Sequence, residues 1–366
     1  MHSLPIQSPH ILFGNAFQRG EQQSSIAPEL GSDVKKTITN RLERSKALLA
    51  KNESVAFLKA QWAFSEKHAA AHLDEVCGLA KGYDVSPRDL FAYLHLGAME
   101  DGDPEKDGCS VAVISDTKNG PLLAKNRDFG AEHQKLQRVV RHQDPLDKDL
   151  WCMFITSLGS PGAYSSGINS HGLAVADTAV GCSKLGVGWL RYFLMTEILW
   201  KAASVDEALD LISSVPHVGG GALVLVDKSG KIASVELGNE AIHIERADTG
   251  VLTHTNHYFS ESLIPFQCKE SEEAYFASSV GRLGAMNHFF AQNQSPLAVA
   301  DVADLMSSHG SRWQSLCCHG DIGDGYTISS AIFSPANAGL QFCAEKPCSG
   351  NWAVYNAPDL KAVDAL

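Results

Sequence analysis

The junction Gly108-Cys109 is where this sequence offers a nucleophile. The polar stretch Glu100-Asp101-Gly102-Asp103-Pro104-Glu105-Lys106-Asp107-Gly108, with five acids, reads as an exposed loop. It delivers a thiol to the first position of an apolar run, residues 109–115, patterned as a strand covered on both faces. Gly108 permits a close backbone approach or an unusual backbone angle. If the peptide bond before Cys109 is cut, that residue gains an α-amine beside its thiol. Such an amine, with a reference pKa of about 7.7–8.0, is suited to general-base work at neutral pH, so nucleophile and base would sit on one residue. Taken alone, a cysteine at a strand start is more often a small buried core residue, and an acidic loop more often a simple connector.

Two further segments bring groups to this thiol. Asp116-Thr117-Lys118-Asn119-Gly120 reads as a hairpin turn, with Asn-Gly supplying positive φ. The return strand from Leu122 ends in Asn126-Arg127-Asp128-Phe129, so Asp128 should land beside Cys109, where a carboxylate would hold amine and thiol in place. The plainer reading of Asp128 is a strand-end cap. Thr253-His254-Thr255-Asn256-His257-Tyr258 puts polar groups at the end of another apolar strand. Asn256 could offer an amide N–H to a developing oxyanion, a contact worth a few kcal/mol, or serve as a turn residue. His254 and His257 flank it, either lining a pocket or making structural hydrogen bonds.

The elements that must carry these groups are legible in outline. Residues 22–98 read as helical, with Val34, Ile38, Leu42 and Leu49 recurring at near-helical spacing. Ser86-Pro87-Arg88-Asp89 is a helix start, with Ser86 as N-cap, and Ser204 with Glu207 forms a capping box. Strands are predicted near 137–142, 151–158, 163–168, 172–179, 222–226, 232–237, 251–255, 325–333 and 339–345. Helices are predicted near 188–202, 204–214, 271–290 and 297–307. Hairpins interleaved with helix pairs predict an α+β fold of two stacked, mainly antiparallel sheets with helices outside, a four-layer α/β/β/α sandwich.

Composition bounds the function. The chain has 366 residues with 30 basic and 42 acidic side chains, a net charge of −12, which argues against broad nucleic-acid or anionic-membrane binding. It contains no long apolar run and no visible secretory leader, so a cytoplasmic location is expected. Nine cysteines, an odd number at irregular spacings, read as reduced thiols. Cys317-Cys318-His319 and Cys343 with Cys348 raise the question of zinc. Adjacent cysteines do not easily share one tetrahedral ion and no Cys-x-x-Cys pair exists, so the expectation is no metal and no cofactor. Gly219-Gly220-Gly221 precedes a strand without a following Gly-Lys-Ser/Thr and is not a phosphate loop.

Taken in order, Lys106-Asp107-Gly108-Cys109-Ser110, Asn126-Arg127-Asp128-Phe129, Gly167-Ile168-Asn169-Ser170-His171-Gly172-Leu173-Ala174 and Thr255-Asn256-His257 resemble the N-terminal-nucleophile hydrolases related to isopenicillin N acyltransferase. The likeness runs over nearly the whole chain, from Phe13-Gly14 and Gln18-Arg19-Gly20 onward. The Lys-Asp-Gly-Cys junction is most similar to the branch containing N-β-alanyl-dopamine hydrolase and carcinine hydrolase. The resemblance implies a precursor that cuts itself between Gly108 and Cys109. Its α chain, 1–108, and β chain, 109–366, would stay associated as a heterodimer forming one globular unit.

In this resemblance Cys109 is the nucleophile of an acyl-enzyme. Asp128 matches the aspartate contacting the new amine, and Asn256 matches the oxyanion-hole asparagine. A backbone N–H near Asp177-Thr178-Ala179 would complete that hole. Ser110, Asn126, Arg127, Asp177 and His257 are supporting or substrate-binding candidates. One departure stands out: where family members often carry Ser-Ile-Cys-Arg-His, this chain has Ser315-Leu316-Cys317-Cys318-His319, without the arginine. Arg312 is a candidate substitute, or else a surface residue. The implied activity is hydrolysis of a small N-acyl amine, a β-alanyl amine being the leading member. An acyltransferase using the same acyl-enzyme is the alternative, and a non-catalytic binding or redox protein keeping the fold is a third reading.

Overall fold

The computed structural model describes residues 4–99, 108–268, 273–293, 296–311, 313–320 and 325–356. The acidic loop before Gly108 and Arg312 both lie outside the described residues. Fifteen strands among the described residues form two sheets. The seven-stranded sheet runs Ile6–Gln7, Ala353–Tyr355, Gly339–Cys343, Tyr326–Ser334, Leu122–Phe129, Gly108–Ile114, Val251–His254. The eight-stranded sheet runs Ile242–Ala247, Ile232–Leu237, Ala222–Val226, Ala174–Thr178, Ser166–Asn169, Trp151–Ser157, Gln137–Gln143, His10–Leu12. Every pairing is antiparallel except two that involve short N-terminal strands, Ile6–Gln7 on Ala353–Tyr355 and His10–Leu12 on Gln137–Gln143.

Period-two alternation explains the stacking. Val111, Val113, Leu123, Phe333 and Phe342 point from one sheet onto Met153, Ile155, Ile168, Val224 and Val226 of the other. The opposite face of the eight-stranded sheet, through Val140, Phe154, Val175 and Leu225, packs on helical residues including Val76, Leu79, Phe193 and Ile198. On the far side, Ile114, Leu122, Ala124 and Ile332 pack on Val302 and Met306, and Ala112 packs on Met286. Helix, sheet, sheet and helix thus form the four layers expected from the sequence.

Most boundaries follow the local signals. The helix opened by Ser86 is Pro87–Met99, with the Asp89 N–H donating to Ser86 Oγ at 3.4 Å. Ser204 Oγ likewise accepts from the Glu207 N–H at 3.3 Å; the Glu207 carboxylate, however, reaches back to the Ala203 N–H instead of Ser204's own. Gly120 closes the hairpin after the first catalytic-candidate strand at φ +86°. The strand expected over 163–168 forms only at Ser166–Asn169, because Ser160-Pro161-Gly162 interrupts regular backbone ahead of it. Ile242–Ala247, an edge strand with few buried side chains, has no counterpart in the sequence reading.

Candidate active site

Gly108–Ile114 is the penultimate strand of its sheet, between Leu122–Phe129 and Val251–His254. Hairpin register pairs Gly108 with Asp128 and Cys109 with Arg127, so the turn delivers the aspartate to the junction as its spacing required. Gly108 is not among the positive-φ glycines; its reason is space, since a Cβ there would lie 3.0 Å from both Cβ and Oδ2 of Asp128. Cys109 precedes Val111 by two residues and therefore shares its intersheet face, with only 1% of its surface exposed.

Two side chains, Asn256 and Arg282, converge on the main chain of Cys109. Its N–H donates to Asn256 Oδ1 at 2.9 Å. Its carbonyl accepts from Arg282 Nη1, which also donates to Ser110 Oγ at 2.9 Å. Arg282 Nη2 donates to Asn256 Oδ1 at 2.8 Å, closing a ring of Cys109, Asn256 and Arg282. Arg282 is 2% exposed and lies on the Glu273–Gln292 helix. A guanidinium this deep is held by its fixed fork of donors, which a lysine would not reproduce.

Asn256 is pinned on all sides. Its backbone N–H donates to Ser279 Oγ at 2.7 Å, and its Nδ2 donates to the Ala179 carbonyl at 2.9 Å. The side chain thus turns its oxygen toward the Cys109 nitrogen and its amide nitrogen toward the segment after Asp177. Asp128, 1% exposed, accepts from Thr327 Oγ1 at 2.5 Å. Thr327 sits at the register shift in the pairing of Tyr326–Ser334 with Leu122–Phe129. The irregularity aims its hydroxyl at the carboxylate.

The other candidates divide. Ser110 joins the site through Arg282. Arg127 stands over the Tyr164 ring at 5.0 Å and donates to Gln137 Oε1 at 3.2 Å. Asn126 faces the helical layer, its Nδ2 donating to the Met306 and Leu316 carbonyls at 2.7 and 2.8 Å. It therefore anchors the wall behind the site.

Asp177 accepts from Lys125 Nζ at 2.5 Å and Arg191 Nε at 2.6 Å. Burial pushes its carboxyl up, yet these two cations hold it below the usual carboxylate range. Its N–H is spent on the Ser165 carbonyl, so the part of this segment that touches Asn256 is the Ala179 carbonyl, an acceptor.

His257 Nδ1 lies 2.7 Å from Ser279 Oγ, with its ring against Phe259 and Phe276. Burial, then the charges of His254 and Arg282, lower its pKa to about 4, so it is neutral at pH 7. His254 bridges Thr178 and Glu236 from a fully buried position.

Arg282 and Thr327 escaped the sequence reading. The only signal for Arg282 was a charged residue set among small and apolar helix positions, Ser278, Ser279, Gly281 and Leu283. Residues 315–319 lack the arginine, and the guanidinium that contacts Cys109 comes instead from the Glu273–Gln292 helix.

Two stacked sheets between outer helices, with a thiol at the start of the penultimate strand of one of them, form a four-layer α/β/β/α sandwich. The chain belongs to the acyl-coenzyme A:6-aminopenicillanic acid acyl-transferase family, whose sequence model matches residues 115–349. That span contains Asp128, Asn256 and Arg282 and begins six residues after Cys109. The chain is therefore an enzyme of an acyl-transfer family.

Among solved structures, the chain is similar to a Caenorhabditis elegans ortholog of N-acylethanolamine-hydrolyzing acid amidase, at 12% identity over 68% of this chain and 100% of that one, TM-score 0.44. It is similar to a variant of conjugated bile acid hydrolase from Clostridium perfringens, at 10% identity over 64% and 88%, TM-score 0.45. A penicillin V acylase from Agrobacterium tumefaciens shows 14% identity over 64% and 82%, TM-score 0.41. Among curated protein sequences none matches. No helix among the described residues is long and apolar enough to cross a membrane.

Proposed function

We propose that the chain is a self-processing cysteine amidohydrolase acting on a small linear N-acyl amine. The observation that carries this is the Cys109 N–H held at 2.9 Å by Asn256 Oδ1, with the same residue's carbonyl held by Arg282. The atom that cutting would turn into an α-amine is already fixed by a side chain that needs no rearrangement to receive it.

In processing, Cys109 Sγ attacks the Gly108 carbonyl carbon. The Gly108–Cys109 C–N bond breaks, a thioester forms, and the nitrogen takes up the thiol proton. Water then opens the thioester, giving a Gly108 carboxylate, a free thiol and a free amine. The pieces 1–108 and 109–366 remain one heterodimeric globule, because residues of both share the large core cluster.

In turnover the amine accepts the thiol proton and the thiolate attacks the substrate carbonyl. The resulting ammonium gives its proton to the departing amine, leaving an acyl-thioester that water hydrolyses. The Arg282 charge nearby disfavours the ammonium and keeps the amine in its basic form. Asp128, opposite Gly108, orients the amine, and Asn256 together with its neighbours steadies the oxyanion. Ser110 passes the hold of Arg282 to the strand, and Arg127 and His257 border the acyl path.

A β-alanyl amine is the leading substrate, supported by the Lys106-Asp107-Gly108-Cys109 junction. None of the nine cysteines, all among the described residues, is joined in a disulfide, which suits a reducing, cytoplasmic compartment. The second reading, acyl transfer to an amine, is favoured by the activity for which the matched family is named. A panel of acyl amines, scored for released amine and for free acid with and without an added amine acceptor, tests the proposal. Release of amine and acid, abolished by Cys109→Ala, is the expected result. A new amide in place of acid supports transfer, and no turnover of any acyl amine contradicts both.

A further inference from the structure

Away from Cys109, three separate segments bring four metal-binding side chains together. The ligand atoms of His309, Cys317, His319 and Cys348 all lie within 4.8 Å of one another. His319 Nε2 is the shared corner, 3.1 Å from His309 Nε2, 3.5 Å from Cys317 Sγ and 3.4 Å from Cys348 Sγ. One imidazole nitrogen has a single in-plane lone pair or a single N–H, so it cannot bond well to three partners at once. A cation at the centre satisfies all of them. A tetrahedral zinc ion, with Zn–N of about 2.0–2.1 Å and Zn–S of about 2.3 Å, requires N–N edges of about 3.3 Å and N–S edges of about 3.6 Å. The three distances match those edges within a few tenths of an ångström.

We propose that His309, Cys317, His319 and Cys348 form a structural zinc site. Two thiolates neutralise the dication, and a mixed sulfur and imidazole set selects zinc over hard, oxygen-seeking ions. Four protein ligands close the coordination shell, so the site holds structure and does no Lewis-acid chemistry. The sequence objection was that Cys317 and Cys318 are adjacent. It is met by their orientation: Cys318 Sγ turns aside toward the Ser315 carbonyl at 3.5 Å, and the second sulfur comes from Cys348, 31 positions along the chain.

The ion would clamp the Pro347–Ser349 turn to the segment entering the Tyr326–Ser334 strand. That segment reaches the candidate active site. The Cys318 N–H donates to Thr327 Oγ1 at 2.8 Å and the Thr327 N–H to the Cys318 carbonyl at 3.0 Å, while Thr327 Oγ1 donates to Asp128. The metal thereby fixes, through main chain, the threonine that positions Asp128.

The test uses the full chain purified without chelator, with metal measured by elemental mass spectrometry. After zinc removal, the protein is titrated with Co²⁺. About one zinc per chain, and intense visible bands of tetrahedral thiolate-bound Co²⁺ saturating at about one equivalent, are expected. His309→Ala and Cys348→Ser change exposed residues, so the fold should persist by circular dichroism. Each should lose the bound zinc and weaken Co²⁺ binding at least tenfold. Three results would overturn the site: wild type without zinc or Co²⁺ bands, variants binding like wild type, or a Cys317–Cys348 disulfide in protein from zinc-replete cells. The readout is metal binding, so it stands whether or not the chain cuts itself.

Discussion

The main-chain nitrogen of Cys109 donates to Asn256 Oδ1 at 2.9 Å, although the two residues are 147 positions apart. The contact arises because Gly108–Ile114 and Val251–His254 are sheet neighbours, with His254 paired to Val111 and the chain continuing two residues further to Asn256. Asn256→Ala should lower kcat about 10²–10³-fold with little change in KM, the signature of a lost transition-state contact. Steady-state kinetics on fully processed protein check this; a rise in KM with kcat intact would assign Asn256 to substrate binding.

Arg282→Met removes the donors to the Cys109 carbonyl, Ser110 Oγ and Asn256 Oδ1. Processing should slow at least tenfold. In whatever mature enzyme forms, the acid limb of kcat/KM should move to higher pH. The sign follows from charge: a nearby cation lowers the amine pKa, so its removal raises it. Arg282→Lys should rescue the pH limb more than the processing rate, because a point charge persists while the fork is lost.

Gly108→Ala places a methyl group 3.0 Å from Asp128. Strand and carboxylate would have to part, at a cost of about 1–3 kcal/mol for local overpacking. The uncut chain should accumulate in a time course followed on denaturing gels. Unchanged cutting would show that this close pairing is not used.

How much of this was readable beforehand depends on how local the signal was. Turn and cap residues, Asn119-Gly120 and Ser86-Pro87, set their elements by neighbours alone, and those elements stand as expected. Asp128 was placed correctly because a hairpin fixes register from its turn. The segment Asp177-Thr178-Ala179 is expected to bring a backbone N–H to the oxyanion, but a motif does not fix its register, and the Asp177 N–H bonds the Ser165 carbonyl while its side chain is held by Lys125 and Arg191. Arg282 and the His309–Cys348 cluster depend on packing between distant helices and loops, which no spacing rule encodes.

Lys125→Met leaves Asp177 with one buried cation instead of two. Breaking a buried pair from one side costs about 3–5 kcal/mol, and denaturant unfolding should show a loss of that order. Adding Asp177→Asn should restore part of it, since the uncompensated charge is then gone. A double variant no better than the single would count against a paired charge.

Burial keeps several histidines neutral: His95 and His257 are lowered to about 4, and His133, with help from the Arg127, Arg41 and Arg44 charges, to about 3. Unfolded, these rings bind protons near pH 6.5, so below that pH the unfolded chain binds more protons than the folded one. Tm of the Cys109→Ala precursor should therefore fall as pH drops from about 6.5 toward 4. Glu236 adds to the loss further down. Burial raises its pKa, but His254, Ser260 and two backbone N–H groups outweigh that and hold it at about 2, so its stabilisation disappears as pH falls from about 4.5 toward 2. His95→Phe should flatten the upper part of the profile in differential scanning fluorimetry.

The most direct test is the intact mass of the purified wild-type chain, read with the N-terminal sequence of each species. Scaling 39.4 kDa by residue number predicts two co-purifying pieces of about 12 and 28 kDa, the larger beginning at Cys109, and a single 39.4 kDa species for Cys109→Ala. A wild-type chain that stays whole at 39.4 kDa while turning over substrate, or a cut at any other bond, would contradict the account.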